Sequence, residues 1–151
     1  MYFGMGLGQH MVQRLELSTS QLLIQQIRDT IITPKSRCPK CRRELTEDEI
    51  RAGWTTSPTD FTTACPRCHA RFKARLILTR YEKVVGRHVY MCIDQLFYAL
   101  KNARHKRKVL GKGYLSKNCP SLLWNMIRHF GTYEAGLREF SKASYLSVPG
   151  R

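Results

Sequence analysis

Acidic residues are scarce in this chain: 11 Asp and Glu stand against 26 Lys and Arg, a formal net charge of +15 over 151 residues. That deficit argues against a cationic partner and makes polyanions the expected ones, nucleic acid ahead of an acidic protein or a membrane surface. Long apolar runs are missing too. Nothing approaches the roughly 18 consecutive apolar residues of a membrane span, and residues 1–8 lack the charged start and apolar stretch of a secretory signal. The expectation is a cytoplasmic protein, or one of another reducing compartment such as nucleus or nucleoid, with no membrane partner. Cysteine is also sparse, six residues in all, too few for a disulfide scaffold.

The residues of catalysis are equally thin. There is no glycine-rich loop ending in Gly-Lys-Ser/Thr and no paired carboxylate cluster for a two-metal site. His88, Asn102 and His105 come in the order of a metal-dependent HNH nuclease. Asn102 and His105 are, however, three apart on one helical stretch, and the usual paired histidine is absent. Cys119 and His129, ten residues apart on a helical face, would not meet as nucleophile and base. The chain is therefore expected not to be an enzyme, and Cys92 and Cys119 to be buried thiols.

What is present begins with four of the cysteines. Cys38-Pro-Lys-Cys41 and Cys65-Pro-Arg-Cys68 give the pattern Cys-x2-Cys-x23-Cys-x2-Cys. Two thiolates two residues apart point from one turn at one ion, and a second such knuckle completes a tetrahedron with Zn–S near about 2.3 Å. Pro39 and Pro66 preset the turns, and Arg37, Lys40, Arg42, Arg43 and Arg67 offset the negative charge of four thiolates on a dication. Structural thiol pairs or a redox dithiol would be the alternatives, but a redox site needs only one pair and a βαβ context that is missing here. One structural Zn2+ held by Cys38, Cys41, Cys65 and Cys68 is the expectation, with His69 outside the ligand shell.

Between the knuckles, Thr46 and Glu49 form a capping box that opens a short helix ending near Gly53. Beyond Cys68, residues 72–81 alternate apolar with basic and read as a strand with one charged face. The set Cys38, Cys41, Leu45, Glu49, Ile50, Gly53, Trp54, Thr63, Cys65, Pro66, Cys68 and Phe72 is similar to a zinc-ribbon-like segment of some eukaryotic DENN-domain proteins. Over about 35 residues it implies a folded metal module with Trp54 and Phe72 in its small core, and nothing about activity.

On either side of the ribbon the pattern is helical. Leu23, Ile24, Ile27 and Ile31 recur at helical spacing behind a Ser18-Thr-Ser20 cap, predicting a helix over residues 21–30 before Pro34. The stretch from Leu15 to Leu23 resembles the glutamine-rich N-terminal region of enhancer-dependent sigma factors over fewer than twenty residues. Its residues read as an amphipathic helix that packs on the rest of the protein or on a second copy. From His88 onward, Val89, Ile93, Leu96, Phe97, Leu100 and Ala103 fall on one stripe leading into the basic run 104–108. Pro120 starts a further helix, Gly131 stops it, and Thr132 caps another over residues 133–141. These two helices and the one before them predict a three-helix, helix-turn-helix-like unit. Pro120, Ser121, Phe130, Gly131, Thr132, Tyr133, Ala135 and Leu137 resemble the small repeat that accompanies some homing endonucleases, which implies a DNA-binding module beside the ribbon.

The chain thus reads as α+β: residues 1–34 as a tail and amphipathic helix, 35–85 as a zinc ribbon of short antiparallel strands with a helical insertion, and 86–151 as a basic helical domain. The expected function is non-enzymatic binding of DNA or RNA through phosphate contacts from Arg42, Arg43, Arg71, Lys73, Arg75, Lys101, Arg104, Lys106, Arg107, Lys108, Lys112 and Lys117. A protein–protein adaptor ribbon in a nucleic-acid-associated complex is the alternative, and an accessory module of a nuclease a third.

Overall fold

A computed structural model describes residues 19–104 and 111–147 of the chain. It is α+β, and the chain divides into two compact units, Met1–Thr30 and Ile31–Arg151. In the first, helix α1 spans Thr19–Arg28. It ends earlier than its apolar periodicity predicts, because Ile31 belongs to a strand: β1, Ile31–Pro34. Pro34 is accommodated there because β1 is an edge strand, where a missing N–H costs no ladder bond.

The second unit is built on two small hairpins and one three-stranded sheet. Strands β2 (Ser36–Arg37) and β3 (Glu44–Leu45) flank the first Cys pair, and helix α2 (Glu47–Ala52) follows. Its capping box is as predicted: the Glu49 N–H donates to Thr46 Oγ1 at 3.2 Å and the Thr46 N–H to Glu49 Oε1 at 2.9 Å. Gly53 ends it where a Cβ would lie 2.4 Å from Thr63 Oγ1, so only glycine fits. Strands β4 (Thr63–Ala64) and β5 (Arg71–Phe72) flank the second Cys pair. The ribbon core is Leu45, Ile50 and Thr63 rather than Trp54 and Phe72, which stay half-buried.

The strand expected over 72–81 breaks at Lys73–Ala74 and changes partner, giving β6 (Arg75–Arg80), which pairs antiparallel with β1 and with β7 (Lys83–Val89). The β6–β7 connection is a two-residue turn with both central residues, Tyr81 and Glu82, at positive φ (53° and 65°). Residues 88–89, read from sequence as the start of a helix, finish this strand instead. Helix α3 begins only at Ile93 and runs to Arg104.

Lys112 and Lys117, expected only as phosphate contacts, lie in helix α4, Lys112–Asn118. Helices α5 (Pro120–Phe130) and α6 (Tyr133–Ser147) follow, joined through Gly131 at φ 86°. The Ala135 N–H donates to Thr132 Oγ1 at 3.0 Å, the predicted cap, and α6 runs six residues past its predicted end. Leu96, Leu100, Leu115, Leu123, Met126 and Phe140 close the helical core. Cys92 and Cys119 are only half-buried, not core thiols.

Ribbon and helices share polar ties that cross the length of the chain. Arg128 of α5 grips Glu47 of α2 with two bonds, Nη2 at 2.6 Å and Nε at 3.1 Å, while its Nη1 donates to the Ile32 carbonyl at 3.2 Å. The Tyr90 hydroxyl donates to the same Glu47 at 2.5 Å. Buried Asn125 accepts from the Met91 N–H and donates to the Val89 carbonyl, fixing the end of β7 on α5. Buried Gln95 donates to the carbonyls of Ser57 and Asp60, holding the ribbon loop on α3.

Candidate metal centre and cationic surface

Each Cys pair sits in the same backbone turn, and the turn explains why two thiols converge. In the first knuckle the Cys38 N–H donates to the Arg43 carbonyl at 2.8 Å and the Arg42 N–H to the Cys38 carbonyl at 2.9 Å. In the second, Cys65 bonds Ala70 and His69 bonds Cys65 in the same way, both at 2.9 Å. Both turns close through a left-handed residue, Arg42 at φ 69° and His69 at φ 65°, a conformation that L side chains adopt at a cost. Sulfurs from different knuckles approach closely: Cys38 to Cys68 at 3.5 Å and Cys41 to Cys65 at 3.6 Å. All four lie within 4.8 Å of one another. A tetrahedral ion with sulfurs at about 2.3 Å needs edges of about 3.8 Å, so the cluster has the right size for one ion.

The electrostatics suit a cation. The Cys41 N–H donates to Cys38 Sγ and, with burial working against it, brings the Cys38 thiol down to about 6. The Cys68 N–H likewise lowers Cys65. Cys68 is pushed up to about 11: the Ala70 N–H stabilises its thiolate, but burial and the three neighbouring sulfurs outweigh it. Four sulfurs this close do not all ionise without a positive charge among them. Cys38 and Cys65 are buried, Cys41 and Cys68 half-buried, and His69 is exposed, outside the cluster as expected.

The predicted cationic contacts fall into separate groups. Arg42, Lys73, Arg75, Lys101 and Lys117 are exposed. Arg43 is committed to an ion pair with Glu49, and Arg71 donates to Thr62 and to the Gly53 carbonyl, bracing the second hairpin. Lys112 pairs with Glu134 at 2.5 Å and lies over the Tyr133 ring. Arg104 ends α3, whereas Lys106, Arg107 and Lys108 lie outside the described residues.

The charged face expected over residues 72–81 is the outer face of the three-stranded sheet, and Arg87, which the sequence alone does not single out, joins it from β7. Leu76 and Leu78 are buried on its inner face, so Arg75, Ile77 and Thr79 alternate onto the other. The register sets Ile77 between Thr33 and Arg87, and Arg75 opposite Val89, so Arg75 and Arg87 are diagonal neighbours on that face. The three strands contain Arg75, Arg80, Lys83 and Arg87 and not one carboxylate. Residues 83–89 do not alternate apolar with polar, so only the pairing with β6 places Arg87 on this face.

Comparison of the chain with protein families, curated proteins and solved structures yields no match. The DENN-like and homing-endonuclease-like stretches therefore rest on their short motifs alone. What stands independently of them is a four-cysteine site able to hold one metal ion.

Proposed function

We propose that the chain is a non-enzymatic, zinc-stabilised ribbon protein that binds nucleic acid, with phosphates laid across the outer face of its three-stranded sheet. One observation carries the reading: a sheet with four basic residues and no acidic one, exposing Arg75 and Arg87 side by side on the face away from the core. Diagonal neighbours across an antiparallel pair stand about 7–8 Å apart, a spacing suited to successive phosphates, and Thr33 and Thr79 add hydroxyls to the same face. Lys73, two residues before Arg75 and next to the end of β5, extends the strip toward the second knuckle. Among the described residues neither Lys73, Arg75 nor Arg87 enters an ion pair, so no internal carboxylate competes for them.

Zinc is the metal of this reading because four thiolates in a tetrahedron select zinc or iron, and a closed shell with no position for substrate suits a structural ion. Cys38, Cys41, Cys65 and Cys68 would hold it and lock the two hairpins together at one end of the basic strip.

The test is a double substitution, Arg75→Ala with Arg87→Ala, measured for binding to duplex DNA, single-stranded DNA and structured RNA. The reading predicts weaker binding to whichever polymer the wild type prefers and a salt slope shallower by about 1.5, two phosphate contacts' worth. Unchanged affinity and slope would reject this face. A stable protein complex that survives nuclease treatment, with no nucleic-acid binding, would establish the adaptor reading in its place.

A further inference from the structure

A second feature lies on helix α3 and shares no residue with the cysteine cluster or the three-stranded sheet. Asp94, Phe97, Tyr98 and Lys101 follow one another at helical spacing and, with Pro58 of the ribbon loop and Phe140 of α6, line a cleft of about 260 Å³. The walls are fixed by packing. Phe97 stacks on Phe130 with centroids 5.8 Å apart and meets Phe140 edge-on at 5.5 Å. Gln95 ties the loop that carries Pro58 to the same helix through the Ser57 and Asp60 carbonyls. The cleft is therefore preformed, and its volume, below the roughly 300–1,000 Å³ of drug-sized sites, admits one planar ring system.

Its polar groups say which ring. Asp94 and Lys101 stand exposed at the cleft and form no ion pair with each other or with any described residue. A free carboxylate beside aromatic rings accepts from a planar group that presents two adjacent N–H donors, and a free ammonium two turns away suits an anion attached to that group. Tyr98 is 44% exposed, a face available for stacking. Guanine in an unpaired nucleotide supplies all three: a π face, the N1–H and N2–H2 edge, and a phosphate.

Resting on the nucleic-acid reading above, we propose that this cleft takes a single unpaired guanine, with the base against Tyr98 and Phe97, its Watson–Crick edge on Asp94 and its phosphate on Lys101.

The experiment compares thymine oligonucleotides that carry, at one central position, guanine, inosine (which lacks the N2 amine) or an abasic residue. Guanosine and adenosine monophosphates are titrated in parallel and followed by the backbone amide shifts of residues 94–101. Guanine should bind about tenfold tighter than the abasic strand, with inosine between them. Asp94→Asn should make guanine and inosine equal, and Tyr98→Ala should erase the gain over the abasic strand, both without altering the response to Arg75→Ala. Three strands that bind alike, with salt-steep binding retained, overturn the cleft and leave the phosphate strip standing. If no strand binds, the phosphate reading has failed, and the mononucleotides decide the cleft: shifts at Tyr98 with guanosine monophosphate in preference to adenosine monophosphate support it, and none overturn it.

Discussion

Glu47→Ala is the substitution that most directly probes how the ribbon is fastened to the helices. Its carboxylate accepts two bonds from Arg128 and one from the Tyr90 hydroxyl, with Arg51 at 3.7 Å. Arg128 and Glu47 are 30% and 28% exposed, so the pair stands between two regimes. Breaking a fully buried pair costs about 3–5 kcal/mol, and an exposed one contributes about 0–1 kcal/mol. Between these limits, removal of Glu47 should cost about 2 kcal/mol, and Arg128→Met a similar amount. The double variant should lose less than the sum of the two, because the second change removes a partner that is already gone. The contribution also has a sign with pH. The bonds from Arg128, then from Tyr90, hold the Glu47 carboxyl below the usual carboxylate range, with burial working against them. A lowered folded value means the stabilisation is complete above the unfolded value of about 4.3 and is lost as pH falls through the folded one. Urea unfolding of the metal-loaded wild type and variants from pH 7 downward measures this. A difference at pH 7 below about 0.5 kcal/mol, or one that persists undiminished below the carboxylate range, would refute the reasoning.

Two further predictions concern the ribbon. Cys38→Ser removes one of four converging sulfurs and should abolish stoichiometric zinc and the order of both hairpins, read by native mass spectrometry and by amide exchange at residues 36–72. One zinc per chain retained in that variant would show that the four cysteines do not act as one site. Arg42→Gly and Glu82→Gly replace left-handed L residues, at φ 69° and 65°, with the residue that takes this conformation freely. Each should raise stability by about 0.5–1 kcal/mol, the left-handed penalty less glycine's entropy cost, and a loss of stability on denaturation would count against those backbone conformations.

The parts of the fold legible in sequence are those set by neighbours in the chain. Cys-Pro-x-Cys twice, Thr46 with Glu49, Pro120 with Gly131, and Thr132 are local devices whose geometry is settled within a few residues, and each appears where its spacing puts it. The β6–β7 hairpin was not legible, because its turn is made by Tyr81 and Glu82 in place of the Asn-Gly or Asp-Gly that advertises a two-residue turn. Without that signal, Val89 joined the apolar stripe of the following helix, and Arg87 was lost as a surface cation. Helix α4 was hidden behind Gly111, Gly113 and the four basic or polar side chains Lys112, Ser116, Lys117 and Asn118, with only Leu115 buried to pay for it. The ties that join ribbon to helices, Glu47 to Arg128 across 81 residues and Asn125 to Val89 across 36, are pairings that no local pattern encodes. In the metal cluster the ligands were readable, but the left-handed roles of Arg42 and His69 were not, since glycine would have been the expected residue there.

The central claim is that the acid-free strands present cations to phosphates, and the salt dependence of binding by the zinc-loaded wild type tests it most directly. With Lys73, Arg75 and Arg87 each on a phosphate, log K should fall against log salt with a slope of about −2 to −3, single-stranded polymers at the shallower end. A slope near zero, or no measurable binding to any nucleic acid at physiological salt, would contradict the account.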